Sequence, residues 1–118
     1  MHKEESRTDF GAIKIHKNVI ASIASLAASQ IEGVKRVGFG NRSSILDFIH
    51  KKLLHAIKVS IDKNEDVKLD IPLVIKYDFN IPEVSARVQE NVRLALEKMT
   101  NLAIKDIDIS VQSIEKGE

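Results

Sequence analysis

The chain has 118 residues, 43% of them hydrophobic, with 18 lysines and arginines against 17 acidic residues and a net charge of +1. That length and apolar content allow one domain with a real core, and the balanced charge supplies no overall field to draw in nucleic acid or anionic lipid. The absence of cysteine excludes disulfides, thiolate catalysis and cysteine zinc sites.

Residues 1–10 are mostly charged or polar and predict a disordered lead-in. They lack the apolar core of a signal peptide, and no stretch approaches the roughly 18 apolar residues of a membrane span. A cytoplasmic chain with no transmembrane segment of its own is expected. A single domain should then occupy 11–114, followed by a frayed tail over 115–118.

Ala12 to His16 alternates, with Ile13 and Ile15 on one side, and predicts a short first strand. Val19, Ile20, Ile23, Ala24, Ala27 and Ile31 recur at helical spacing, so a helix should follow and stop near Gly33. Val34 to Phe39 predicts a second strand, and Gly38, Gly40 and Asn41 a loop. Ser43 or Ser44 can then cap a short helix over about 45–55, with Ile45, Leu46, Phe48, Ile49 and Leu53 on its apolar side. Its other side is basic, formed by Arg42, Lys51, Lys52 and His55.

Ile57, Val59 and Ile61 alternate with polar residues, and the turn Lys63-Asn64-Glu65 should fold them back on a long strand beginning at Val67. That strand alternates through Leu69, Ile71, Leu73, Ile75, Tyr77 and Phe79. Pro72 lacks a ladder donor and predicts a sheet edge or a bulge, which would make this strand a template for a partner's strand. After Pro82 the period changes: Val84, Val88, Val92, Ala95, Leu96 and Met99 mark one face of a helix. A last strand over Lys105 to Ile114 should bury Ile107, Ile109 and Val111.

Gly33-Val34-Lys35-Arg36-Val37 also echoes Ala103-Ile104-Lys105-Asp106-Ile107, as two β-α-β halves would. Together these elements predict an α+β two-layer sandwich, one mixed sheet with two main helices on one face and a short third helix.

Few residues point to chemistry. His50 and His55 are five apart rather than four, and His2 lies in the lead-in, so the histidines do not form a metal pair. Asp106 and Asp108 share a strand face, as solvated carboxylates commonly do. No serine sits in a GxSxG elbow, and Gly38-Phe39-Gly40 completes no phosphate-binding fingerprint. Without a GxxG loop and with one tyrosine and four phenylalanines, a nucleic-acid module using the exposed sheet face or the basic helix is the weaker alternative. The stronger expectation is a non-enzymatic scaffold without a cofactor. Its basic residues Arg42, Lys51, Lys52 and His55 are the candidate partner or membrane surface.

Tyr77-Asp78-Phe79-Asn80-Ile81-Pro82-Glu83-Val84, followed by Val88-Gln89-Glu90-Asn91-Val92, resembles the central signature of the bacterial alkaline shock protein family. Ile13-Lys14-Ile15, Val19-Ile20 and Ala27 to Val34 are similar to that family's first strand, helix and glycine turn, and Lys105 to Ser113 to its closing strand. Ile81, Pro82, Glu83, Val84 and Gln89 are the structural signature. The family commonly has glycine where Asp78 stands and often has proline where Lys17 stands. The resemblance implies a non-enzymatic cytoplasmic protein linked to cell-envelope homeostasis, sometimes held at the membrane by a separate anchor protein, with no cofactor; a homo-oligomer or a membrane-anchored protein partner is the expected association.

Overall fold

The computed structural model describes residues 17–39 and 56–116. The predicted first strand at 12–16 and the short basic helix at 45–55 lie outside the described residues.

Helix α1 covers residues 17–29. It buries Ile20, Ala21, Ala24, Ala27 and Ala28, a stripe of mostly small side chains that lets its backbone lie close to its neighbours. Val19, expected on that stripe, is 43% exposed because the alanines turn it outward. The chain leaves α1 through bonds from the Ile31 N–H to the Ala28 carbonyl and from the Val34 N–H to the Ile31 carbonyl, with Gly33 at φ +102° between them. Strand β1, Val34–Val37, follows.

Strands β2, Lys58–Ile61, and β3, Asp66–Lys76, form the expected hairpin. The Asp62 N–H on the Asp66 carbonyl extends the ladder by one pair, and the three-residue loop inside it closes with the Glu65 N–H on the Asp62 carbonyl and Glu65 at φ +66°, a type of turn that needs one left-handed residue. The Asp62 carboxylate fastens it by accepting from the N–H groups of Asn64 and Asp66, each at 2.9 Å.

β3 is the centre of the sheet. β1 and β2 pair with it antiparallel, β2 along Val67 to Asp70 and β1 along Leu73 to Ile75, while β4, Ala103–Glu115, runs parallel to it on the other side. The edge position inferred from Pro72 is therefore corrected. Pro72 falls at the gap between β2 and β1, where its carbonyl accepts from the Gly38 N–H at 2.9 Å. A residue's N and carbonyl face the same side of a strand, so the donor Pro72 lacks is one for which the gap offers no ladder partner. A register shift in the β4 pairing, between Leu73 and Val74, lies beside it.

The strand also ends sooner than its alternation suggests. After Lys76 the chain turns, with Asp78 at φ +80°, and Tyr77 and Phe79 lie beyond the strand at 64% and 37% exposure. Helix α2, Ile81–Met99, then buries Val84, Val88, Val92 and Leu96 on the β3 core residues Val67, Leu69, Ile71, Leu73 and Ile75. Met99 stands outside the stripe, 68% exposed in the last turn.

The faint sequence echo has a structural counterpart. Val34, the first residue of β1, and Ile104, the second of β4, are both buried, and in both strands the register shifts at the next residue, leaving Lys35 and Lys105 as the extra residues of bulges. A second extra residue in β4 is Gln112. Of the β4 residues expected in the core, Ile107 is buried, Ile109 is half-buried and Val111 is 37% exposed.

Candidate functional site

The Asn80 to Val84 signature is a helix start. The Asn80 side chain accepts from the Glu83 N–H and its carbonyl from the Val84 N–H, both at 2.9 Å, satisfying donors that a helix leaves free at its first turn. Pro82 stands in that same turn, where its missing N–H removes nothing. Glu83 lies at the positive end of the helix and pairs with Arg87 one turn on at 2.8 Å. Val84 packs on Gly33, so close that a Cβ there would meet both Val84 and Phe79 at 2.8 Å.

Further along α2, polar side chains are spent on backbone carbonyls. Gln89 donates to the Ile107 carbonyl at 2.7 Å and Arg93 to the Ile104 carbonyl at 2.9 Å. Asn91 donates to the Ala27 carbonyl at 2.8 Å, one of the last carbonyls of α1 that no intrahelical N–H can reach. α2 is thus pinned to β4 by its middle and to Gly33, beside β1, by its start. It crosses the sheet obliquely and leaves Val111 and Ile114 bare at 37% and 46% exposure.

The face away from the helices carries Lys68, Asp70, Asp106 and Asp108, all exposed. Ser110 donates to the Asp70 carboxylate there at 2.9 Å. At its far end Arg36 and Glu115 form a two-pronged ion pair, at 3.1 and 2.8 Å. Hydrogen bonding from Arg36 holds the Glu115 carboxyl below its ordinary range, against the opposing effect of partial burial. Periodicity gave no sign of this pair, because its members are 79 residues apart.

Arg42, Lys51, Lys52 and His55 lie outside the described residues. Ile81, Pro82, Glu83 and Val84 lie in the first turn of α2, and Gln89 lies two turns on, against β4. A shallow groove of about 510 Å³ between α2 and β4 brings the basic Arg93 and Lys105 beside the acidic Glu90, Asp106 and Asp108, so that the charges largely offset one another. Among the described residues no group of three or more histidines and carboxylates could hold a metal ion, and no helix is long and apolar enough to cross a membrane.

Residues 5–116 match the profile of the alkaline shock protein 23 family, described by a cell envelope-related function. An uncharacterized Bacillus subtilis protein, YqhY, is 35% identical over 109 residues, covering 92% of this chain and 80% of the relative. A second from that organism, YloU, is 29% identical over 115 residues, 93% of each chain. The uncharacterized Streptococcus pyogenes protein Spy1614 is 31% identical over 112 residues, covering 92% and 91%. No solved structure matches the chain.

Proposed function

The chain belongs to the alkaline shock protein family, whose function is cell envelope-related, and from that premise we propose that it is a non-catalytic interaction module of envelope stress homeostasis. It works in the cytoplasm, as a homo-oligomer or bound to a membrane-anchored protein. The observation that carries the reading is the family match across residues 5–116. Supporting it, the polar residues of the family signature are engaged in capping and in tying α2 to β4 and α1, which leaves them unavailable for acid–base work. The basic residues Arg42, Lys51, Lys52 and His55 are the proposed contact with the anchored partner or with its membrane.

The test is chemical cross-linking of the tagged chain in intact cells, followed by fractionation. Recovery with one membrane protein in fixed ratio, reduced when Lys51 and Lys52 are both replaced by glutamate, supports the proposal. A chain recovered free of envelope proteins, whose deletion leaves resistance to envelope stress unchanged, overturns it.

A further inference from the structure

Strand β4 is held along its length by two different kinds of contact. Its first part is anchored in the core: Ile104 and Ile107 are buried, Ile109 packs on the same cluster, and the carbonyls of Ile104 and Ile107 accept from Arg93 and Gln89 of α2. That part cannot leave without opening the core. Past the extra residue Gln112 no residue of β4 is buried, and Ile114, the one apolar side chain there, is exposed where the oblique course of α2 leaves it uncovered. Polar ties replace apolar ones.

Those ties converge on two residues. The Glu115 carbonyl accepts from the Tyr77 N–H at 2.6 Å, its carboxylate accepts both guanidinium bonds of Arg36, and the Lys116 carbonyl accepts from the Lys35 ammonium at 2.6 Å. The donors stand on β1 or just past the end of β3, none on α2. The pairing itself is interrupted where the two kinds of contact meet, because the register shift between Leu73 and Val74 leaves Gln112 outside the ladder. A break beyond Gln112 need not travel back to Ile109 and Ile107.

We propose that residues 113–116 are a latch, opening and closing as one unit while residues 103–111 stay in the sheet, with Arg36 and Glu115 as its catch. Partly exposed hydrogen bonds stabilise less than core burial does, so opening the latch takes only part of the global unfolding free energy. The open form keeps the two-layer core. It loses the pairing of residues 113–115 with 74–76 and moves Ser113 and Glu115 away from Val74, which is fully buried in the closed form yet stands apart from the main core cluster. New surface results: an apolar side chain on the face away from the helices, the side of β3 that had faced β4, and an Arg36 guanidinium no longer matched by Glu115. The latch controls access to all three.

Hydrogen exchange of the purified full chain, followed amide by amide as urea is raised below the unfolding transition, tests this. N–H groups alternate in side along β3, and that of Tyr77, one residue past it, faces β4. Ile75 and Tyr77 therefore report on the latch, and Leu69 and Ile71 on the anchored part. The first two should exchange at least ~10-fold faster than the second two, at a rate nearly independent of urea. Gln89→Ala weakens only the anchored part, so it should speed Leu69 and Ile71 and leave Ile75 and Tyr77 as they were. Glu115→Gln should speed all four, because both openings start from the closed form that has lost its catch. In a chain without cysteine, Val74→Cys should react with a thiol reagent at least ~10-fold faster than Val88→Cys, both positions being fully buried.

The proposal is overturned if Ile75 and Tyr77 keep pace with Leu69 and Ile71 at every urea concentration, or if Gln89→Ala speeds all four alike. It is equally overturned if Glu115→Gln leaves Ile75 and Tyr77 unchanged, or if the two cysteines react at one rate. All of these are read on the isolated chain, so the interaction reading stands or falls separately.

Discussion

Arg36 on β1 and Glu115 at the end of β4 reach each other across the full width of β3, over Val74. Strands two apart in a sheet are about 9–10 Å from one another, so only two long side chains can close that span. Val74 lies on the face away from the main core yet is 0% exposed. The ion pair, with Ser113 beside it, serves as its cover.

This pair sets an acid-sensitive element of stability. The Glu115 carboxyl binds its proton less readily in the folded chain than in the unfolded one, because Arg36 hydrogen-bonds its ionised form. Its contribution is therefore complete above the unfolded glutamate value and is lost as pH falls through the lowered folded value. Urea unfolding should find Glu115→Gln less stable than the parent at pH 7, with the gap narrowing steadily into the acid range. A gap that widens with acid would refute the assignment.

Gly33 is required by two independent constraints, its φ of +102° and the 2.8 Å that a Cβ would leave to Phe79 and Val84. Gly33→Ala should lower unfolding free energy by about 2–4 kcal/mol, combining left-handed strain with overpacking. Equilibrium urea midpoints measure it, and a loss under about 1 kcal/mol would mean that α2 shifts freely at its start.

Asp78 holds φ +80°, a conformation that glycine adopts without penalty. This gives a physical reason for the glycine that the family commonly has there. Asp78→Gly is expected to stabilise the chain by roughly 0.5–1 kcal/mol, the relief of left-handed strain exceeding the added freedom of the unfolded chain. Thermal unfolding is the measurement, and a lowered melting temperature would show that the aspartate side chain holds the turn.

Asn91 joins the two helices through the Ala27 carbonyl. Asn91→Ala should cost about 1 kcal/mol and speed amide exchange in the last turn of α1 more than in α2. Uniform acceleration in both helices would show a global loss of stability instead.

Much of this architecture could be read from residue spacing. The apolar stripe of α2, its Asn-Ile-Pro-Glu start, the β2–β3 hairpin and the Gly33 turn are local patterns, and local patterns are what periodicity reports. Errors arose where tertiary packing decided. Alternation through Tyr77 and Phe79 continues that of β3, but alternation cannot register the left-handed turn at Asp78. Pro72 reads as an edge residue until two short neighbours are seen to leave a gap beside it. Val111 has the phase of a core residue and stays bare because α2 is slanted, its middle held at β4 by Gln89 and Arg93 and its start held at Gly33. Those two polar residues flank the apolar stripe one turn apart, the one sequence sign of a helix lashed to a strand edge. The candidate basic surface rests on composition alone, so its residues carry a charge argument and no geometry.

The gap opposite Pro72 has a consequence for how this chain can vary. Backbone departs the sheet at Gly38 and rejoins it at Lys58, and the strand positions flanking those two points, Leu73 and Asp70, are three residues apart on β3. Exit and re-entry being neighbours, an excursion of almost any length can be closed there at small entropic expense. Lengthening or shortening the connection between those two points therefore adds little to the entropy of closing it.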